Sequence, residues 1–235
     1  MIYAMSDPHG EYEKYIAMLK EIKFSDDDML YVLGDVSDRG PDTAKIILHI
    51  MAHKNIVHIK GNHEDMACKH LPLLLKEFEK KPLDIFELYS RSLYSWFING
   101  GNATVVSIFE HPAEVRTEIL EHLNNLPYYC EIQVNNINYV LVHAGLGDNY
   151  NGEPLSSISN RDLTWSMPDY DGAYFDEKTK LVVGHTPTFM LAESEKASIY
   201  KGKGNVICLD CGAHFTELGG RLGCLCLDTG EEFYV

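Results

Sequence analysis

Aspartate, histidine and asparagine recur in this chain in short segments suited to holding a metal ion: Asp7-Pro8-His9, Gly34-Asp35-Val36-Ser37-Asp38-Arg39-Gly40, Gly61-Asn62-His63-Glu64, His143-Ala144-Gly145 and Gly184-His185-Thr186. Carboxylate and imidazole donors with one amide match a borderline-hard divalent ion such as manganese, iron or zinc. No cysteine lies in any of the five segments to indicate a softer one. Asp7 and His9 stand two residues apart and can converge on one ion while the chain turns at Pro8. Asp35 can lend one oxygen to each of two ions, and Asn62, His143 and His185 can complete the shell of the second. Two ions about 3.5 to 4 Å apart clamp a phosphoryl group and lower the pKa of a bridging water, so that hydroxide forms near neutral pH. Phosphoester hydrolysis is the reaction such a centre serves best.

The elements that must position these residues are legible beside them. Each polar segment begins where an apolar run of strand length stops: Ile2 to Met5, Met29 to Leu33, Ile56 to Ile59, Tyr139 to Val142 and Leu181 to Val183. If those strands lie side by side and parallel, their carboxyl ends share one edge, where open α/β sheets gather ligands. Glu11 to Lys23 carries apolar residues at Tyr15, Met18, Leu19 and Ile22, and Thr43 to His53 at Ile46, Ile47, Ile50 and Met51, both at helical spacing. Residues 1 to about 62 therefore read βαβαβ, with right-handed crossovers between parallel strands. Residues 66–127 read as a helical insertion broken at Pro72, Pro82, Gly100, Gly101 and Pro112. Strands return at Tyr129 to Val134 and Ile137 to Val142, a hairpin about Asn135-Asn136. Asn205 to Leu209, Leu222 to Leu227 and Glu232 to Val235 read as closing antiparallel strands. The expectation is an α/β fold: one domain over residues 1–235, a layered α/β/β/α sandwich with a mixed sheet pair and the site at one rim.

Composition narrows the classes. A chain of 235 residues, 45% hydrophobic, can bury a full core. The formal charge of -15 argues against a broad basic surface for nucleic acid. It leaves small phosphorylated substrates open, because a metal centre supplies positive charge locally. No stretch reaches the roughly 18 apolar residues of a membrane helix, and the first strand begins at Ile2, which points to a cytoplasmic address and no membrane. Cys208-x-x-Cys211 and Cys224-x-Cys226 only loosely resemble a zinc ribbon, and a hairpin with buried cysteines explains them better. His49 and His53, at i and i+4, lack a carboxylate partner and read as surface residues. Asp35 and Asp38 taken alone could merely cap the turn before the 43–53 helix, a reading the other four segments outweigh.

The ordered set D-x-H, G-D-x-x-D-R-G, G-N-H-E, H-A-G and G-H-T resembles the phosphoprotein phosphatase branch of the calcineurin-like metallophosphoesterases, over nearly the whole chain. Trp96-Phe97-Ile98-Asn99-Gly100-Gly101 and Asp162-Leu163-Thr164-Trp165-Ser166 are similar to further segments of its bacterial and phage members. The resemblance implies that Asp7, His9 and Asp35 bind one metal and that Asp35, Asn62, His143 and His185 bind the other. It implies His63 as general acid, Asp38 as the carboxylate that orients it, Arg39 as the phosphate clamp, and in-line attack by a metal-bridging hydroxide. Many relatives carry an arginine just after the tryptophan of the second segment; here Met167 stands there, and Arg161 is the nearest substitute for gripping phosphate. The leading expectation is a two-metal serine/threonine protein phosphatase, with manganese as the favoured ion and a phosphorylated protein or small phosphoester as substrate. The alternatives are a symmetrical diadenosine polyphosphate hydrolase, whose base could stack on Tyr150, Trp165, Tyr170, Tyr174 or Phe175, and a catalytically weak phosphate-binding module. The oligomeric state is open.

Overall fold

The computed structural model describes residues 1–78, 91–192 and 196–235. The amino-terminal part is β1 (Ile2–Met5), α1 (Tyr12–Glu21), β2 (Met29–Leu33), α2 (Thr43–Ala52) and β3 (Ile56–Ile59), with β1, β2 and β3 paired in parallel. Both faces of these strands are covered, which is why the sequence shows continuous apolar runs rather than alternation. Tyr3, Met5, Leu30 and Val32 pack under the helices, while Ala4, Leu33 and Ile59 face a second sheet. Residues Tyr15 and Met18 of α1 and Ile46, Ile47 and Ile50 of α2 supply the helical side of the first core.

The second sheet runs β4-β5-β6-β8-β7, built from β4 (Tyr129–Val134), β5 (Ile137–Val142), β6 (Thr179–Val183), β7 (Tyr200–Lys201) and β8 (Val206–Cys208). Strands β5, β6 and β8 are parallel; β4 joins β5 through Asn135-Asn136, where both residues take positive φ (49° and 63°), as the tight hairpin requires. Leu141 and Val182 face the first sheet, and Val140, Val142, Leu181 and Val183 pack beneath Leu155 and Leu163 on the outer side. The layers are helices, sheet, sheet and an outer helical layer that includes α7 (Asn160–Trp165), as expected.

Several details differ from the sequence expectation. The five strands that end in polar segments do not form one sheet: β1, β2 and β3 belong to one and β5 and β6 to the other, and the carboxyl ends of both sets meet at one rim. Of the strands near the end of the chain, the last two pair antiparallel as expected, but the one before them does not join them. Instead, β8 pairs parallel with β6, whereas β9 (Gly223–Cys226) crosses to the first sheet, antiparallel to β1 and to β10 (Glu232–Tyr234). The cysteine pairs therefore lie on different sheets, and all six cysteines are free. The helical region starts earlier than residue 66, because Asn62, His63 and Glu64 are the first turn of α3 (Asn62–Phe78). Pro72 sits inside α3 instead of breaking it; Ala67 and Leu71, packed in the first core, anchor the helix against a proline penalty of about 3 kcal/mol. The expected break at Pro82 lies outside the described residues. Helices α4 (Arg91–Ile98), α5 (Gly101–Phe109) and α6 (Ala113–Asn124) follow. Among the described residues no helix is long and apolar enough to cross a membrane.

Candidate metal centre

Six of the candidate residues sit on a backbone the chain adopts only under constraint. Positive φ is found at Asp7 (55°), His9 (42°), Asp35 (51°), Asp38 (72°), Arg39 (68°) and His185 (68°). Such conformations cost non-glycine residues about 1 to 3 kcal/mol each and persist only where the surroundings over-determine them. Part of that constraint is Glu64. Fully buried, its carboxylate accepts N–H donors from Asp35 (2.7 Å), Gly61 (3.0 Å) and Ser37 (2.9 Å), tying β2's loop to the start of α3. Neither Asp35 nor Asp38 caps α2, whose first turn follows Asp42 without a side-chain cap.

The structure brings Asp7, His9, Asp35, Asn62, His143 and His185 together, with Asp35 at the middle. Its Oδ2 lies 3.8 Å from His9 Nε2 and 3.7 Å from His63 Nε2, and its Oδ1 lies 3.4 Å from His143 Nε2. His9, Asp35 and His63 form one compact donor group, and Asp35, His143 and His185 another. Asn62 Oδ1 joins the second, 2.9 Å from His143 Nε2 and 3.0 Å from His185 Nδ1. On the first side Asp7 Oδ1 lies 3.9 Å from His9 Nε2 and, though buried, has no hydrogen-bond partner. The remaining ring atoms are held by backbone carbonyls: His9 Nδ1 lies 2.8 Å from Ser37 O, and His143 Nδ1 lies 2.7 Å from Leu33 O. Each such bond orients its ring so that Nε2 faces the other donors.

The electrostatics suit cations. Burial opposes charge on His143, yet Asp35 and Asp7 raise it to about 10, so this cluster draws positive charge to itself. Burial and then His143 lower His185 to about 4, and burial and then Arg39 hold His9 well below the usual range, so both rings favour the neutral form that ligates metal. An orphaned carboxylate oxygen, neutral imidazoles and a carboxylate shared between two donor groups fit a pair of divalent ions.

Beside the ligands, His63 Nδ1 donates to Asp38 Oδ2 at 2.6 Å, both groups being buried. Burial opposes the imidazolium, but Asp35 and the bonded Asp38 raise His63 above its ordinary value. Half-buried Arg39 donates through Nη1 to His9 Nε2 (2.6 Å), with Nη2 3.3 Å from His63 Nε2 and the guanidinium 5.2 Å from the Phe215 ring centroid. Arg161 is exposed and stands apart, lining a cavity of about 350 Å³ with Asp148, Asp162, Trp165, Ser166 and Met167. That cavity adjoins the centre through Trp165, whose ring centroid is 6.1 Å from that of His185. Of the other aromatic candidates, Tyr150, Tyr174 and Phe175 pack against one another beside the outer core, and Tyr170 packs against Tyr200. His49 and His53 stack on each other at 4.2 Å and belong to no described metal-ligand group.

One buried group escaped the sequence reading. Asp210 follows β8, the next parallel strand beyond β6, and is pushed up to about 6 by burial despite an N–H from Gly212. Burial and then the charge of Asp210 raise Asp7 well above the usual carboxylate range. Val206 to Cys208 ending in Leu209-Asp210 repeats the signal of an apolar run with a polar terminus.

Comparison with known proteins agrees with this geometry. The family model for calcineurin-like phosphoesterases matches residues 1–214, and the chain belongs to that family. Its members are metal-dependent phosphoric ester hydrolases. Serine/threonine-protein phosphatase 2 of Salmonella typhimurium is 29% identical over 148 residues, 63% of this chain and 59% of that protein. Its Escherichia coli counterpart is 27% identical over 170 residues, 71% and 67% of the two chains. The match thus spans about three fifths to two thirds of those relatives' length. A symmetrical bis(5'-nucleosyl)-tetraphosphatase of Buchnera aphidicola is 42% identical over 65 residues, 27% of this chain and 24% of that one. Among solved structures, one described as a candidate diadenosine tetraphosphatase has a TM-score of 0.67 at 18% identity, covering 100% of this chain and 92% of that one. A serine/threonine phosphatase from Saccharomyces cerevisiae has 0.58 at 15%, covering 100% and 79%. At those identities the structures show the shared fold.

Proposed function

We propose that this chain hydrolyses phosphomonoesters with two divalent ions, preferably manganese, and that its substrates are phosphoserine and phosphothreonine side chains of proteins. The observation that carries this reading is the Asp35 carboxylate, one oxygen 3.8 Å from His9 Nε2 and the other 3.4 Å from His143 Nε2, with the Asp38–His63 pair and Arg39 alongside. Asp7, His9 and Asp35 would hold one ion, and Asp35, Asn62, His143 and His185 the other. When bound, the ions supply Lewis acidity toward the phosphoryl oxygens and an activated water. Arg39 binds phosphate oxygens through its planar fork of donors. His63 gives its Nε2 proton to the leaving oxygen, and Asp38 keeps the ring oriented through Nδ1. Arg161, which forms no ion pair among the described residues and lines the adjoining cavity, is the second cation toward substrate in this reading.

A second reading, hydrolysis of dinucleoside polyphosphates, has one observation in its favour: Trp165, 40% exposed, presents an indole beside His185 on which a base could stack. The experiment is kcat/KM on a phosphoserine peptide and on diadenosine tetraphosphate with one manganese-loaded preparation, alongside Asp35→Asn and His63→Asn. The first reading expects a peptide preference of a hundredfold or more, about 2.7 kcal/mol. The reverse preference overturns it, and full activity in Asp35→Asn overturns the two-metal mechanism.

A further inference from the structure

The geometry points to the α4–α5 turn as the mould of the general acid, with Trp96 and Thr104 as positioning residues that hold the Asp38 carboxylate against His63. The inference rests on His63 being that acid. Asp38 is fully buried, and its lone pairs are divided among three donors. Oδ2 accepts from His63 Nδ1 at 2.6 Å and from Trp96 Nε1 at 2.8 Å, and Oδ1 accepts from the Thr104 hydroxyl at 2.6 Å. The Thr104 oxygen in turn accepts the N–H of Asp38 at 2.7 Å, so one hydroxyl grips both the side chain and the backbone of a residue held at φ 72°. Trp96 and Thr104 are themselves fully buried, and His70 stacks on the indole with centroids 5.6 Å apart.

The two glycines of the turn make the approach possible. A Cβ on Gly101 would stand 2.5 Å from the Trp96 ring, and one on Gly100, at φ 98°, would stand 2.6 Å from Arg39 N. Gly100 O accepts the Arg39 N–H at 3.2 Å, so the same turn supports the backbone of the phosphate clamp. Chemically, a buried carboxylate with fixed donors on both oxygens cannot rotate. His63 Nδ1 is thereby aimed, and Nε2 releases its proton to the leaving oxygen as the P–O bond breaks, the imidazole ending neutral. Losing either donor frees the carboxylate to turn and the ring to follow it.

General acid catalysis contributes on the order of a hundredfold to ten-thousandfold, and matters most when the departing oxygen is strongly basic. The test is kcat for p-nitrophenyl phosphate and for phenyl phosphate, whose leaving group is more basic, at saturating manganese. Trp96→Phe and Thr104→Val each lose roughly tenfold or more on phenyl phosphate and under about threefold on p-nitrophenyl phosphate, with KM little changed. Thr104→Ser, which keeps the hydroxyl, retains the wild-type ratio. In proton NMR, the downfield resonance of the His63 Nδ1 proton moves upfield in Trp96→Phe and Thr104→Val but not in Thr104→Ser. The Thr104 pair decides if Trp96→Phe does not fold. His63→Asn separates the two levels. If it shows the leaving-group selectivity and the Trp96 and Thr104 variants lose both substrates equally or neither, the mould is overturned alone. If His63→Asn shows no selectivity, the general acid falls and the mould with it.

Discussion

Glu64→Gln sets two effects against each other. The buried carboxylate is disfavoured by burial and then by the charge of Asp35, which together raise its pKa, and neutralising it relieves that strain. Against this stand three amide donors. With the glutamine oxygen in the place of Oε2, the bonds from Asp35 and Gly61 survive as neutral ones, each dropping from about 1.5–3 to about 0.5–1.5 kcal/mol. The amide nitrogen then faces the N–H of Ser37, donor to donor, and an unsatisfied buried N–H costs about 1–3 kcal/mol. The losses exceed the relief, because the two weakened bonds and the orphaned Ser37 N–H together outweigh one repulsion, and a net destabilisation of about 2 kcal/mol is expected. For a chain of this size that lowers Tm by about 4 to 8 °C. Since the loop carries Asp35, manganese affinity falls about 10- to 100-fold. Thermal unfolding and isothermal titration of the ion provide the readouts. A variant as stable as the parent with unchanged manganese affinity would refute the reasoning, showing that relief of the Glu64–Asp35 repulsion outweighs the amide bonds.

Other perturbations have equally direct outcomes. Gly61→Ala places a Cβ onto the Asp35 carboxylate and 2.6 Å from its N, so manganese titration should show at least tenfold weaker binding. Burial, then His122, hold His58 well below the ordinary value of about 6.5. The unfolded chain therefore takes up this proton first, so the His58 contribution to stability is intact above pH 6.5 and declines as pH falls below it. Urea midpoints at pH 7.5 and 5.5 should differ less in His58→Asn than in the parent. Chelation of a protein held at a hundred times its manganese Kd removes about 2.7 kcal/mol of stabilisation, read as a lower Tm in EDTA. Arg161→Ala, at an exposed position, should reduce kcat/KM on a phosphopeptide by no more than roughly fivefold, about 1 kcal/mol.

How much of this could be read in advance depends on the range of the forces involved. Runs such as Met29 to Leu33 identified themselves because both sheet faces are covered, so nearly every residue in them is apolar. The hairpin at Asn135-Asn136 was legible because two positive φ values in a row demand particular residues locally. The fate of Asn205 to Leu209 and Leu222 to Leu227 was not, since either strand could satisfy its backbone in either sheet and only long-range packing chose. Pro72 misled because the packing of Leu71 and Ala67 outweighs a local penalty. Trp96 and Thr104 lie 58 and 66 residues from Asp38, and nothing in their own segment names the carboxylate they hold.

By itself, the sequence determined the donor chemistry and the strands that end in it: the types and spacing of Asp7, His9, Asp35, Asn62, His143 and His185, each after an apolar run, depend on local composition alone. Tertiary structure alone decided that two sheets rather than one deliver those ends, that Asp35 turns one oxygen to each donor group, and that Asp210, Trp96 and Thr104 surround them. Those outcomes rest on contacts between residues distant in the chain, where burial and hydrogen-bond satisfaction are settled by the whole fold at once.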